Sequence, residues 1–260
     1  MIRHKHSAAA RIAGKAGAPL LAAVTITALA GCSTLTGVVS PADVREAAKQ
    51  DGRRIQPVDC RTAKCVALTF DGGPSEPTPK LLDILKREKV RATFFLQGKG
   101  HTDTYPDTVR RMADEGHEIA NHTWSHENLT ELTPDGIRDE IAPVQEDVKK
   151  ITGHAPTLMR PPGGATDDHI SGVLKKLGLS QILWSVTAKD YRTTDTALIK
   201  QRVLDRTERD GIILLHERYQ GTIPAVPGII TELRHRGYTF VTVPQLMAPA
   251  RPEPGTVYRP

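Results

Sequence analysis

The 260-residue sequence predicts an α/β domain built around a largely parallel sheet. Three observations carry that expectation. Between residues 64 and 247 short β-prone runs alternate with helix-patterned stretches. One of those stretches bears a helix start signal and another a stop signal. The hydrophobic content of 38% in a chain of this length allows one substantial core and is too little for two large domains.

The candidate strands are 66–70, 92–96, 118–121, 158–160, 181–186, 211–215 and 239–243. Thr133 and Pro134 supply an N-cap and a first-turn proline, after which Ile137, Ile141, Val144, Val148 and Ile151 keep the four-three spacing of an amphipathic helix. Val226, Ile229, Ile230 and Leu233 define another helix, closed by Gly237. In such a fold chemistry gathers where strands give way to loops at their C-terminal ends.

The flanks read differently. Residues 1–31 follow the plan of a bacterial export signal: a basic stretch, an apolar run from Ala18 to Ala30, then small residues. That run is shorter than the roughly 20 apolar residues of a spanning helix. Leu29-Ala30-Gly31-Cys32 resembles a lipoprotein cleavage box, in which Cys32 is lipidated and becomes the mature N-terminus; an ordinary signal peptide with an incidental cysteine is the alternative. Either leads out of the cytoplasm, and the lipidated form leads to the extracytoplasmic face of the bacterial cell membrane. Residues 32–63 read as a polar tether with a possible helical turn near Val44, and 248–260 as a proline-rich irregular tail.

The net charge of +5 does not mark a nucleic-acid partner. Arg3, Lys5, Arg11 and Lys15 all precede Gly31, and without them 31 basic residues face 30 acidic ones. Nothing marks a protein partner either. Cys60 and Cys65 lie five residues apart ahead of the first strand, where an oxidising compartment favours a disulfide over an incomplete metal site.

Five features at successive strand ends carry candidate chemistry. Asp71 follows the first strand in Thr69-Phe70-Asp71-Gly72-Gly73-Pro74 as a general base, or else as a plain Asp-Gly turn. His122 and His126 stand four apart, which on a helical turn puts two imidazoles on one face, as metal ligands or as surface histidines. Arg160-Pro161-Pro162-Gly163-Gly164 offers a guanidinium for a carboxylate and a backbone N–H for an oxyanion, or is simply a rigid turn. Asp190 sits near the same rim, where a surface acid is the plain alternative. His216 ends the apolar run Ile212-Ile213-Leu214-Leu215 as a general acid or a packed structural histidine.

Taken together, in this order, the five features resemble the polysaccharide deacetylases with a NodB homology domain, carbohydrate esterase family four, over residues 64–247. The resemblance implies a distorted (β/α) barrel of about seven strands. It implies Asp71 as catalytic base, His122 and His126 as ligands of a divalent metal (zinc first, cobalt or nickel otherwise), and Arg160 as orienter of the base, itself tethered by Asp190. His216 falls on the general acid, Gly163 on the oxyanion donor and Leu214 on the acetyl-methyl pocket. The expected activity is removal of N-acetyl groups from a cell-wall or chitin-like polysaccharide, a linear C–N bond other than a peptide bond.

Departures accompany the likeness. The family reads TFDDGP and uses the second Asp as third metal ligand; here it is Gly72. Gly163 lacks the aromatic ring common at its position. Thr187 replaces an acid, Tyr191 a tryptophan, and Glu217 a shorter Asp or Asn. Two further readings therefore stand beside N-deacetylation: an O-acetyl esterase acting on acetylxylan, and a wall-binding protein whose weakened site no longer turns over.

Overall fold

The computed structural model describes residues 37–48 and 58–260. The export segment and Cys32 lie outside them. Among the described residues no helix is long and apolar enough to cross a membrane.

The strands, in chain order, are β1 (Val38–Val39), β2 (Lys64–Gly73), β3 (Thr93–Leu96), β4 (Glu118–Asn121), β5 (Leu158–Met159), β6 (Ser180–Ile182), β7 (Val186–Thr187), β8 (Gly211–Leu215), β9 (Tyr238–Val241) and β10 (Val257–Tyr258). They form one parallel sheet in the order β1-β10-β6-β5-β4-β3-β2-β8-β7, with β9 added on β2. The sheet does not close, so the expected α/β barrel is realised in its distorted, open form. Its centre is β2, which is buried from Cys65 to Gly73. Its first half pairs with β9 (Lys64 with Tyr238) and its second half with β3 (Phe70 with Phe94), while β8 runs along it from Val66 to Phe70. A strand buried on both faces reads as a continuous apolar run, which is why Cys65-Val66-Ala67-Leu68 shows no alternation.

Eight helices accompany the described sheet. The longest, Pro134–Thr152, begins as the sequence predicts: the Thr133 hydroxyl accepts the Gly136 N–H at 3.2 Å and Gly153 closes the helix in the left-handed region. Ile137, Ile141, Val144 and Val148 are its buried stripe. The helix predicted around Val226 spans Thr222–His235, and Gly237 follows it with φ +79°. Stacked Phe70 and Phe94 rings, 5.3 Å apart, lie in the main core.

Three expectations need correction. The predicted strand 181–186 is two strands, β6 and β7, which lie at different places in the sheet. Trp184 and Ser185 form the bend between them, and an apolar run alone does not reveal such a break.

The expected tether is partly integral: Val38–Val39 pairs with β10, and the helix Pro41–Ala47 buries Arg45. The Arg45 guanidinium is 2% exposed, grips Asp210 through two 2.9 Å bonds and donates to the Leu246 carbonyl at 3.1 Å. The tail is not irregular throughout either. Val257–Tyr258 inserts as β10 between β1 and β6, and the Tyr258 hydroxyl accepts the Glu253 N–H. In both segments the stabilising partner is distant in the chain, so local periodicity carries no trace of it. Cys60 and Cys65 are disulfide-bonded, as expected.

Candidate active site

Asp71 sits near the C-terminal end of β2, 2% exposed, and Arg160 lies just beyond β5, fully buried. Arg160 Nη1 donates to Asp71 Oδ1 at 2.6 Å and to the Thr69 hydroxyl at 2.9 Å. Its Nε donates to the Ile182 carbonyl at 2.8 Å, and its guanidinium stacks 4.0 Å from the centre of the Phe95 ring. Burial depresses the guanidinium pKa and the Asp71 carboxylate opposes it. The arrangement leaves Asp71 one oxygen free for a reacting group, as a positioned base requires.

The second pair is Asp190 with His216. Asp190, 1% exposed, accepts from the His216 backbone N–H (2.7 Å), from the His216 ring at Nδ1 (2.9 Å) and from the Thr222 hydroxyl (2.8 Å). Asp190 therefore tethers His216 and not Arg160, which corrects the expected role. The Arg160 donors are directed to Asp71, Thr69, Ile182 and Leu183, with none on Asp190. Burial alone would lower the His216 pKa, but the hydrogen bond and charge of Asp190 outweigh it and raise the imidazole above its ordinary 6.5. With Nδ1 held by Asp190, Nε2 is the proton-bearing edge left for chemistry.

His122 and His126 come together as expected, ring centres 5.0 Å apart, but not on a helical turn. Residues 122–126 are a loop in which Thr123 and His126 both have φ +69°. Glu140, on the long helix, holds that loop: its carboxylate accepts the Ser125 N–H at 2.9 Å and the Ser125 hydroxyl at 2.6 Å. Sequence reasoning missed Glu140, although an acid on the apolar stripe beside Ile137 and Ile141 was its signal. The His122 Nδ1 lies 2.7 Å from the Arg160 carbonyl, which can only accept, so Nδ1 carries the proton and Nε2 a lone pair. That Nε2 is 3.9 Å from Asp71 Oδ2, and burial drives the His122 pKa down to about 4.

These two imidazoles are the nitrogen donors expected of a metal site. The third donor is missing. Gly72 has φ +77°, and a Cβ built there would point at the Arg218 guanidinium, 3.5 Å from Nη1 and 3.6 Å from Cζ. Among the described residues no three His, Cys, Asp or Glu side chains converge on one point. The donor set thus does not fit the closed three-ligand seat of a resident catalytic ion.

Gly163 follows the Arg160 strand end with φ +64° and open space around it, and among the described residues no acceptor takes its N–H. It is free to serve an oxyanion. Leu214, 5% exposed, lies on β8 between Thr69 and Thr187. Glu217 is buried beneath the turn, where Thr78 donates to it at 3.3 Å and burial raises its pKa to about 7. A Cβ at position 73 would lie 1.6 Å from Glu217 Oε1, so a side chain there would displace the Glu217 carboxylate. Tyr191 and Tyr219 flank the His216 ring at 6.0 and 5.5 Å.

Residues 59–182 match the family model described as polysaccharide deacetylase. A deacetylase designated T48, solved with substrate, is 39% identical, superposes with a TM-score of 0.74 and is covered over 99% of its chain and 77% of this one. The chain belongs to the polysaccharide deacetylase family. The peptidoglycan-N-acetylglucosamine deacetylase PgdA of Listeria monocytogenes is 36% identical over 187 residues, 72% of this chain and 39% of the relative. The chain thus spans about two fifths of that curated relative's length. BA3943, a CE4 family pseudoenzyme of which a mutant has restored activity, is 28% identical with a TM-score of 0.67, covered over 68% of its chain and 72% of this one. The deacetylase fold here thus resembles both active and inactive relatives.

Proposed function

We propose that this chain hydrolyses the acetamido group of an N-acetylated polysaccharide, peptidoglycan or N-acetylglucosamine oligomers, to acetate and a free amine. The observation that carries the reading is the presence of two oriented proton-transfer pairs at one mouth, Arg160–Asp71 and Asp190–His216. Asp71 takes a proton from the attacking water. The Gly163 N–H faces the oxygen on which negative charge develops. His216, whose pKa Asp190 raises, gives its proton to the departing nitrogen. Leu214 supplies an apolar wall at the strand end for the acetyl methyl group.

A second reading has a specific observation behind it. Gly72 removes a ligand, and Arg218 adds a cation beside it, as in a site that binds glycan without turning it over. Acetate release from N-acetylglucosamine oligomers, peptidoglycan and acetylxylan tests both. The proposal expects acetate from the first two at rates above those from acetylxylan. Acetate from acetylxylan alone would make the chain an O-acetyl esterase, and glycan retention with no acetate would favour the binding reading. The export segment ending at Cys32 supports a site of action at the outer face of the cell membrane, held by a lipid anchor and close to peptidoglycan.

A further inference from the structure

The guanidinium of Arg218 stands where a residue-72 side chain would reach, with all three of its outer atoms used in that contact: Nη1, Cζ and Nη2 lie 3.5, 3.6 and 3.9 Å from the Cβ position of Gly72. A carboxylate grown from residue 72 would land on it. Arg218 is exposed, joins no salt bridge among the described residues, and has one weak hydrogen bond, from Nη2 to the Tyr219 hydroxyl at 3.3 Å. The Tyr219 ring it meets lies 5.5 Å from the His216 ring, which sets Arg218 at the His216 side of the mouth. Relative to a site with an acid at position 72, the mouth has one negative charge fewer, and the positive charge of Arg218 faces that position. That exchange disfavours a divalent cation and favours an anion.

We propose, on the basis of the deacetylase reading above, that Arg218 is the electrophilic catalytic residue of this site: its guanidinium hydrogen-bonds the acetyl oxygen as that becomes an oxyanion, in place of a tightly held metal ion. Guanidinium suits this role because it is permanently charged and presents several N–H donors in one plane. In the addition step a bond forms between the water oxygen and the acetyl carbon, the water's proton passes to Asp71, and the carbonyl π pair moves onto oxygen opposite Arg218 and the Gly163 N–H. In the elimination step that pair returns, the C–N bond breaks, and the nitrogen takes the proton of His216 Nε2. Acetic acid, which keeps the water's second proton until it ionises to acetate in solvent, leaves with the amine, and the proton on Asp71 and the one lost from His216 are reset through solvent. No other reactant is needed.

The experiment uses the full chain stripped of metal with a chelator, and measures zinc content, zinc affinity and acetate release from N-acetylglucosamine tetramer. The stripped wild type should release acetate. Arg218→Met should lose about 10²- to 10³-fold in kcat with KM little moved, the size of effect seen when one oxyanion donor is removed. Arg218→Lys should keep part of the rate. Zinc should bind the Arg218→Met chain at least about tenfold more tightly than wild type, because a neighbouring cation has gone. This second readout does not depend on turnover. The proposal is overturned if stripping abolishes acetate release, zinc restores it and Arg218→Met behaves as wild type; the deacetylase reading survives that result. No acetate in any state, with or without zinc, overturns the deacetylase reading itself and the proposal with it.

Discussion

Asp71 with Arg160, and Asp190 with His216, form the inner wall of the mouth, where Asp71, Arg160 and Asp190 are nearly or wholly out of solvent and each pair is closed by a short hydrogen bond. On the outer wall His126 and Arg218 are exposed, Gly72 lies beside them at the buried strand end facing the Arg218 guanidinium, and none of the three is locked by a short charged pair. The difference explains which part of the family pattern has changed. A buried ion pair cannot lose one member without stranding the other charge, a penalty of several kcal/mol. Residue 72 belongs to no ion pair, so a glycine there strands no charge, whereas loss of Arg160 would strand that of Asp71.

Arg160→Met is the hardest test of that contrast. It leaves the Asp71 carboxylate buried without its guanidinium, so chemical denaturation should show a loss of roughly 3–5 kcal/mol. A loss under 1 kcal/mol would mean that the inner wall is as tolerant as the outer. Asp190→Asn should act on pH dependence. The folded-state pKa of His216 is raised, so the protonated acid, and with it the rate, is lost as pH rises through that raised value. Any stability from the pair is likewise complete below the ordinary 6.5 and lost through the same window. Removing the Asp190 charge leaves burial as the dominant influence, so the alkaline limb of kcat should move to lower pH; an unmoved limb would show that His216 is not the acid. The smallest effect is expected on the outer wall, where His126→Ala should change stability by no more than about 0.5 kcal/mol.

Much of the inner wall was legible in the sequence. Asp71 and His216 close apolar runs and Arg160 opens a proline-stiffened turn, so each is marked by an abrupt change at a strand end. The role of Asp190 was misread because sequence order does not say which of two nearby cations an acid will meet. Arg45 was invisible as a latch: its partner Asp210 is 165 residues away, and a short helix with one buried arginine has no periodic signature. The pairing of Val257–Tyr258 was hidden by the prolines before it, which mark irregular chain without saying where it resumes order. Arg218 was hidden for a related reason. Its meaning lies in what faces it, a glycine more than a hundred residues earlier in the chain, and neither residue alone is unusual.

The central claim is that Asp71 and His216 carry out hydrolysis of an acetamido group at this mouth. The most direct measurement is initial-rate acetate release from N-acetylglucosamine tetramer by wild-type chain and by Asp71→Asn, which keeps the side-chain shape and removes the base. Wild type should turn over, and the variant should fall by about 10²- to 10⁴-fold in kcat while remaining folded. Equal rates in the two proteins would contradict the assignment.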